Sequence, residues 1–120
     1  MRLIHGIAQT LACLYFGKKG DTLPAVMGQV ARADNDYLLR MIDSGQINAA
    51  EDRLFELIES GIWDTDQTAA LIISFYDYLN VKKDDFLESS GFSRAEILQG
   101  LDEALRMIGK TIPEYLKMPE

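Results

Sequence analysis

The chain is poor in the residues that most often carry chemistry or covalent cross-links. Its 120 residues include one cysteine and one histidine. A single cysteine excludes an intramolecular disulfide and is typical of proteins from a reducing cytoplasm. On one helix, His5 and Cys13 would lie about 12 Å apart along the axis, too far for a nucleophile–base pair. We therefore assign no catalytic residue.

Basic residues are also scarce. There are 12 Lys and Arg against 19 Asp and Glu, which gives a formal net charge of −7. This charge excludes nucleic acid as an expected partner, because the phosphate backbone would be repelled. Residues 1–20 contain Arg2, Lys18 and Lys19 but no acidic residue, so they carry +3 while the remainder carries −10.

No apolar run is long enough to cross a bilayer. The longest candidate lies near the N-terminus and is interrupted by Gln9, so we interpret it as mature structure rather than a targeting peptide. The acidic body also opposes binding to anionic lipid, so we do not expect a membrane role. We expect a cytoplasmic protein.

Strict alternation of apolar and polar residues, the mark of β-strands, is missing, and helical periodicity takes its place. We predict an all-α, single-domain bundle of about five to seven helices over residues 1–120. Its parts are an N-terminal apolar helix and turn (1–20), a helical body (21–109) and a C-terminal tail (110–120). A chain of this length can bury one ordinary core.

The clearest helices lie in the body. Residues 47–60 are amphipathic, and a nearly all-apolar helix near 65–79 is expected at the centre of the bundle. Asp64 or Asp66 is predicted to cap the central helix, and Ser93 and Glu96 form a capping box for the last one. Asp34 is predicted to cap a second helical piece within residues 24–44. The sequence leaves open whether this range forms one helix or two.

The acidic residues do not form a recognisable metal site. Residues 34–36 lack the glycine and the terminal glutamate of a calcium-binding loop, and several other acids are better explained as helix caps. The sequence therefore predicts neither a metal nor a cofactor.

The surface that remains for function lies on two helices. The N-terminal helix has an apolar stripe, and the helix over 47–60 has an acidic face with one aromatic residue off its apolar stripe. The candidate interaction residues are Leu3, Ile7, Leu11, Tyr15, Asp52, Phe55, Glu56 and Glu59. We predict a non-enzymatic protein that acts through protein–protein contacts, with a homodimer as one option. The alternative is a small-molecule-binding protein or small enzyme with a pocket near Tyr76 and Tyr78.

Two resemblances accompany this interpretation. The pattern Gly45-x-Ile47-x-x-Ala50-x-x-x-Leu54-Phe55 resembles part of a tetratricopeptide (TPR) helical hairpin, although no second copy follows at a spacing near 34 residues. The segments IAQTLACLYFGKK, INAAEDRLFE and FSRAEI resemble a family of small bacterial proteins of unknown function. That resemblance implies a cytoplasmic helical protein and supplies no catalytic residues.

Overall fold

The computed structural model describes residues 23–110, except for the side chains of residues 23–27, 29 and 30. Within this range the chain is helical and contains no strand, which confirms the all-α prediction. The predicted N-terminal helix, with His5, Cys13 and the candidate residues Leu3, Ile7, Leu11 and Tyr15, lies outside the described residues, as do residues 111–120. The described helices are α1 (Leu23–Asp43), α2 (Ile47–Ser60), α3 (Thr65–Asn80), α4 (Asp84–Ser89) and α5 (Arg94–Met107).

Two helices begin with reciprocal side-chain caps. At the start of α3, the Gln67 backbone N–H donates to Asp64 at 2.7 Å, and the Asp64 N–H donates to the Gln67 side chain at 3.2 Å. At the start of α5, Glu96 and Ser93 make the same two bonds at 3.2 and 3.1 Å. Each pair satisfies backbone donors that the helix itself leaves unpaired. The capping box at Ser93 is confirmed, and Asp64 rather than Asp66 caps α3.

The break in α1 comes at Gly28, whose φ of 75° and ψ of 178° are not helical. The predicted cap at Asp34 is therefore wrong. Glycine tolerates a positive φ without steric cost, so the turn is made six residues earlier and the helix then runs through Asp34 to Asp43. The glycines that follow α1 and α2, Gly45 and Gly61, also have positive φ values, as expected for residues that end helices.

The central position of α3 is confirmed. It packs against α1 on one side and α5 on the other. Its six largest buried apolar or aromatic side chains are fully inaccessible to solvent: Leu71, Ile72, Ile73, Phe75, Tyr76 and Leu79. None of the helices between residues 23 and 110 combines the length and apolar character needed to cross a bilayer.

The larger helices form two hairpins, α1–α2 and α3–α5, that pack side by side. Among the described helices, α1 lies against α3 and α2 lies against α5. The helices α1 and α3 are parallel, because Gly28 lies beside Gln67 near their starts and Asp43 accepts a hydrogen bond from Tyr78 near their ends. The contacting residues are 39 positions apart at Gly28 and Gln67 and 35 positions apart at the Asp43–Tyr78 bond.

A second contact between the hairpins lies at Gly100, a buried glycine inside α5. A Cβ atom there would lie 2.5 Å from Glu51 Oε2, 2.6 Å from the Tyr76 hydroxyl and 2.8 Å from Tyr76 Cε1. The glutamate could move away, but the Tyr76 ring is fully buried and has no space to do so. The missing side chain is therefore what lets Tyr76 reach α2.

We expect Gly100→Ala to destabilise the protein, although glycine to alanine inside a helix normally adds about 0.5–1 kcal/mol of stability. Overpacking against Tyr76 should outweigh that gain and lower the free energy of unfolding by about 1–3 kcal/mol. Urea denaturation measures the change. Gln99→Ala, at the exposed neighbouring position, is the matched control and should change stability little. A more stable Gly100→Ala variant would contradict the close contact.

Candidate functional site

The outer face of α2 is acidic and exposed. Helical periodicity places Asp52, Glu56 and Glu59 opposite the buried stripe of this helix, and all three are exposed. Glu56 accepts a hydrogen bond from Arg53 at 3.2 Å, an exposed ion pair that adds little stability. Phe55 lies along the edge of this face, half-buried and packed against the core.

Glu51 does not lie on this exposed acidic face, because its side chain points towards the core. It is half-buried, and its Oε2 accepts a hydrogen bond of 2.6 Å from the Tyr76 hydroxyl of α3. The sequence analysis did not single out Glu51 among the acidic residues of this helix and so missed this role. The available signal was position: Glu51 lies one turn before Phe55 on the same edge of α2.

Burial raises the pKa of Glu51, the Tyr76 hydrogen bond opposes that rise, and the nearby charges of Glu96, Glu103 and Asp52 add to it. Burial also raises the pKa of Tyr76, and the Glu51 carboxylate adds to the effect. The phenol therefore stays protonated and keeps its role as the donor.

The carboxyls around Glu51 continue onto α5. Met107 is 42% exposed and lies one turn beyond Glu103, just as Phe55 lies one turn beyond Glu51. We call this mixed surface the acidic seam between α2 and α5, defined as Glu51, Asp52, Phe55, Glu96, Glu103 and Met107. Within residues 23–110, no three or more acidic, His or Cys side chains are grouped as a metal ion would require. The seam can attract cationic groups while offering them apolar contact.

Tyr78 makes a second polar contact between the hairpins. Its hydroxyl donates to Asp43 Oδ1 at 2.8 Å, and Lys82 Nζ donates to the same oxygen at 2.6 Å. These bonds, that from Lys82 above all, lower the pKa of Asp43. The Lys82 ammonium also lies 4.6 Å from the centre of the Tyr78 ring and 5.3 Å from that of Phe86.

The structure therefore directs the two tyrosines to different carboxyls on different helices. Tyr76 is fully buried and donates to Glu51 on α2, whereas Tyr78 is half-buried and donates to Asp43 on α1. Both hydroxyls act in packing contacts between helices.

Arg94 of α5 forms hydrogen bonds that connect the end of α3 with α4. Its guanidinium donates to Asp84 Oδ1 at 2.9 Å, to the Asn80 carbonyl at 2.7 Å and to the Lys82 carbonyl at 2.6 Å. A further bond reaches the Asn80 side chain at 3.2 Å. Sequence reasoning identified the helix start here but not this set of contacts, because the partners lie 10 to 14 residues away.

A small open cavity adjoins Arg94, lined by Asp84, Leu87, Glu88, Phe92, Ser93 and Arg94. Its volume is about 230 Å³, below the roughly 300–1,000 Å³ of small-molecule sites. The backbone donors at the start of α5 are already capped by Ser93 and Glu96, which disfavours an anion there. The cavity lining includes neither Tyr76 nor Tyr78.

The chain belongs to DUF6483, a family of unknown function whose model matches residues 1–109. This match confirms the resemblance to a family without established activity. Neither the curated proteins nor the solved structures provide a match to the chain.

Arg94→Met should lower the free energy of unfolding by on the order of 2 kcal/mol, because it removes charged hydrogen bonds and leaves the Asn80 and Lys82 carbonyls without this donor. Chemical denaturation is the measurement. Arg53→Met is the matched control, since it removes an exposed ion pair of the α2 surface and should cost at most about 0.5 kcal/mol. Equal losses in the two variants would refute the role assigned to Arg94.

Proposed function

We propose that this member of DUF6483 is a non-enzymatic helical protein that acts through protein–protein contacts, and that it binds a partner with basic side chains. The observation that carries the proposal is the row of exposed carboxylates on α2, which shares Asp52 and its edge residue Phe55 with the acidic seam. Asp52, Glu56 and Glu59 face outward, Phe55 provides apolar area along their edge, and Met107 is an exposed apolar residue of α5.

The charge balance supports a basic partner. Residues 23–110 contain 16 acidic and 8 basic side chains, and α2 alone carries four carboxylates against Arg53. A surface of one sign steers a partner of the opposite sign and discourages others. Binding energy at interfaces comes mainly from a few well-packed aromatic or apolar groups, a role for which Phe55 and Met107 are placed.

A second copy of the chain is a less suitable partner for this surface. A twofold dimer would bring the same carboxylates of both copies together, which is repulsive. A second copy fits only through its basic residues 1–20, which carry +3. Light scattering distinguishes this homodimer from a different partner.

We also infer that the two hairpins are stacked in a TPR-like manner. The parallel course of α1 and α3 supports this, as does the 35-residue spacing of Asp43 and Tyr78, close to the TPR period of 34. Stacked helical hairpins present extended surfaces to partners. The proposal places the protein in a bacterial cytoplasm, which the single cysteine supports and cell fractionation tests.

A ligand pocket near Tyr76 and Tyr78 receives no comparable support. The Tyr76 hydroxyl is held against Glu51, and the Tyr78 hydroxyl is held by Asp43.

The test begins with a photo-crosslinking amino acid at Asp52, which identifies what contacts α2 in cells. The purified partner is then titrated with the full chain. The triple variant Asp52→Lys, Glu56→Lys, Glu59→Lys should weaken binding at least tenfold, because each reversed charge repels a basic partner. The dissociation constant of the wild-type complex should rise with salt.

The matched control reverses three exposed carboxylates elsewhere, Asp36, Asp85 and Glu88, and changes the net charge by the same amount. It should retain most of the affinity. Equal weakening by both triple variants would mean that net charge, not the α2 surface, governs binding. A triple variant on α2 that binds as well as wild type would refute the proposal.

A further inference from the structure

We propose that the hydrogen-bonded pair Glu51–Tyr76, which packs against Gly100, is a pH-dependent contact that holds α2 against α3 and α5. The proposal concerns the internal contact between the hairpins and does not depend on which partner the protein binds. It rests on the geometry of one junction to which three helices each contribute a residue.

The geometry allows little adjustment. The oxygen atoms of Glu51 and Tyr76 are 2.6 Å apart, and both lie within 2.6 Å of the point where a Cβ atom at Gly100 would be. Tyr76 cannot retreat because it is fully buried and its ring packs edge-on against Phe75, with centroids 4.9 Å apart. Any response to a change in charge at this junction must therefore come from α2 or α5.

The groups that face Glu51 make its charge unfavourable. Asp52 belongs to its own helix, Glu96 and Glu103 belong to α5, and Tyr76 of α3 is a neutral donor. Among the described residues, α1 contributes no charged group to this environment. The hydrogen bond from Tyr76 is the opposing influence, because it stabilises the carboxylate.

A protonated Glu51 keeps its bond to Tyr76, since its carbonyl oxygen still accepts, and it no longer repels α5. An ionised Glu51 keeps the bond but adds a half-buried negative charge beside Glu96 and Glu103. Proton uptake therefore tightens the contact between α2 and α5, and proton loss loosens it. This contact includes Glu51, one of the residues of the acidic seam. The pH therefore affects how rigidly α2 and α5 hold the residues of the seam in place.

The direction of the pH dependence follows from the raised pKa of Glu51, whose ordinary value is 4.5. As the pH rises above that value, the unfolded chain loses this proton before the folded chain does. The stabilisation is therefore complete below the ordinary value and is lost as the pH rises through the folded pKa. Each unit of difference between the two corresponds to a tenfold change in the folding equilibrium.

The experiment compares the wild-type chain with Glu51→Gln by hydrogen exchange of the α2 and α5 amides between pH 5 and pH 8. Exchange is corrected for its intrinsic pH dependence. Glutamine accepts the Tyr76 hydrogen bond without charge, so at pH 7 these amides should open less often in Glu51→Gln than in wild type. The difference should shrink towards pH 5. Glu56→Gln, at an exposed position of the same helix, should behave as wild type.

A second variant tests the opposing hydrogen bond. Tyr76→Phe removes the donor that stabilises the carboxylate, so the pKa of Glu51 should rise further, as measured by carbon NMR of its side-chain carboxyl. Parallel opening profiles of wild type and Glu51→Gln, faster opening of Glu51→Gln at pH 7, or a lower Glu51 pKa in Tyr76→Phe would each overturn the proposal.

Discussion

The constraint on which the structure depends is that α3 has almost no solvent-facing side. Its apolar residues require cover from several directions, which α1 and α5 provide. Each polar group that α3 carries into this environment then needs a partner. Tyr76 finds Glu51 of α2, Tyr78 finds Asp43 of α1, and Asn80 receives Arg94 of α5. The arrangement of the two hairpins and the polar contacts between them thus have a common origin.

Local features of the fold could be predicted because their signals are local. The bounds of α2, the burial of α3 and the capping box of Ser93 and Glu96 follow from periodicity and from residues three positions apart. The error at Asp34 arose from competition between two local signals. An aspartate is a good cap, but Gly28 had already supplied the backbone break.

The candidate site was only partly predictable, because its decisive contacts join distant parts of the chain. The exposed carboxylates of α2 follow from the helical wheel. The inward turn of Glu51 does not, since it depends on Gly100 of α5 leaving room for Tyr76. Likewise, the parallel packing of α1 and α3 is set by contacts between residues 35 to 39 positions apart and leaves no repeated motif in the sequence.

The junction at Gly100 also has a consequence for how the family can vary. Three positions share one small volume, so a larger residue at 100 requires a smaller or redirected side chain at 76 or 51 in the same protein. Substitutions at these positions are therefore tolerated in combination more readily than singly. Among relatives of this chain, the three positions should change together, and a glycine at 100 should accompany tyrosine at 76.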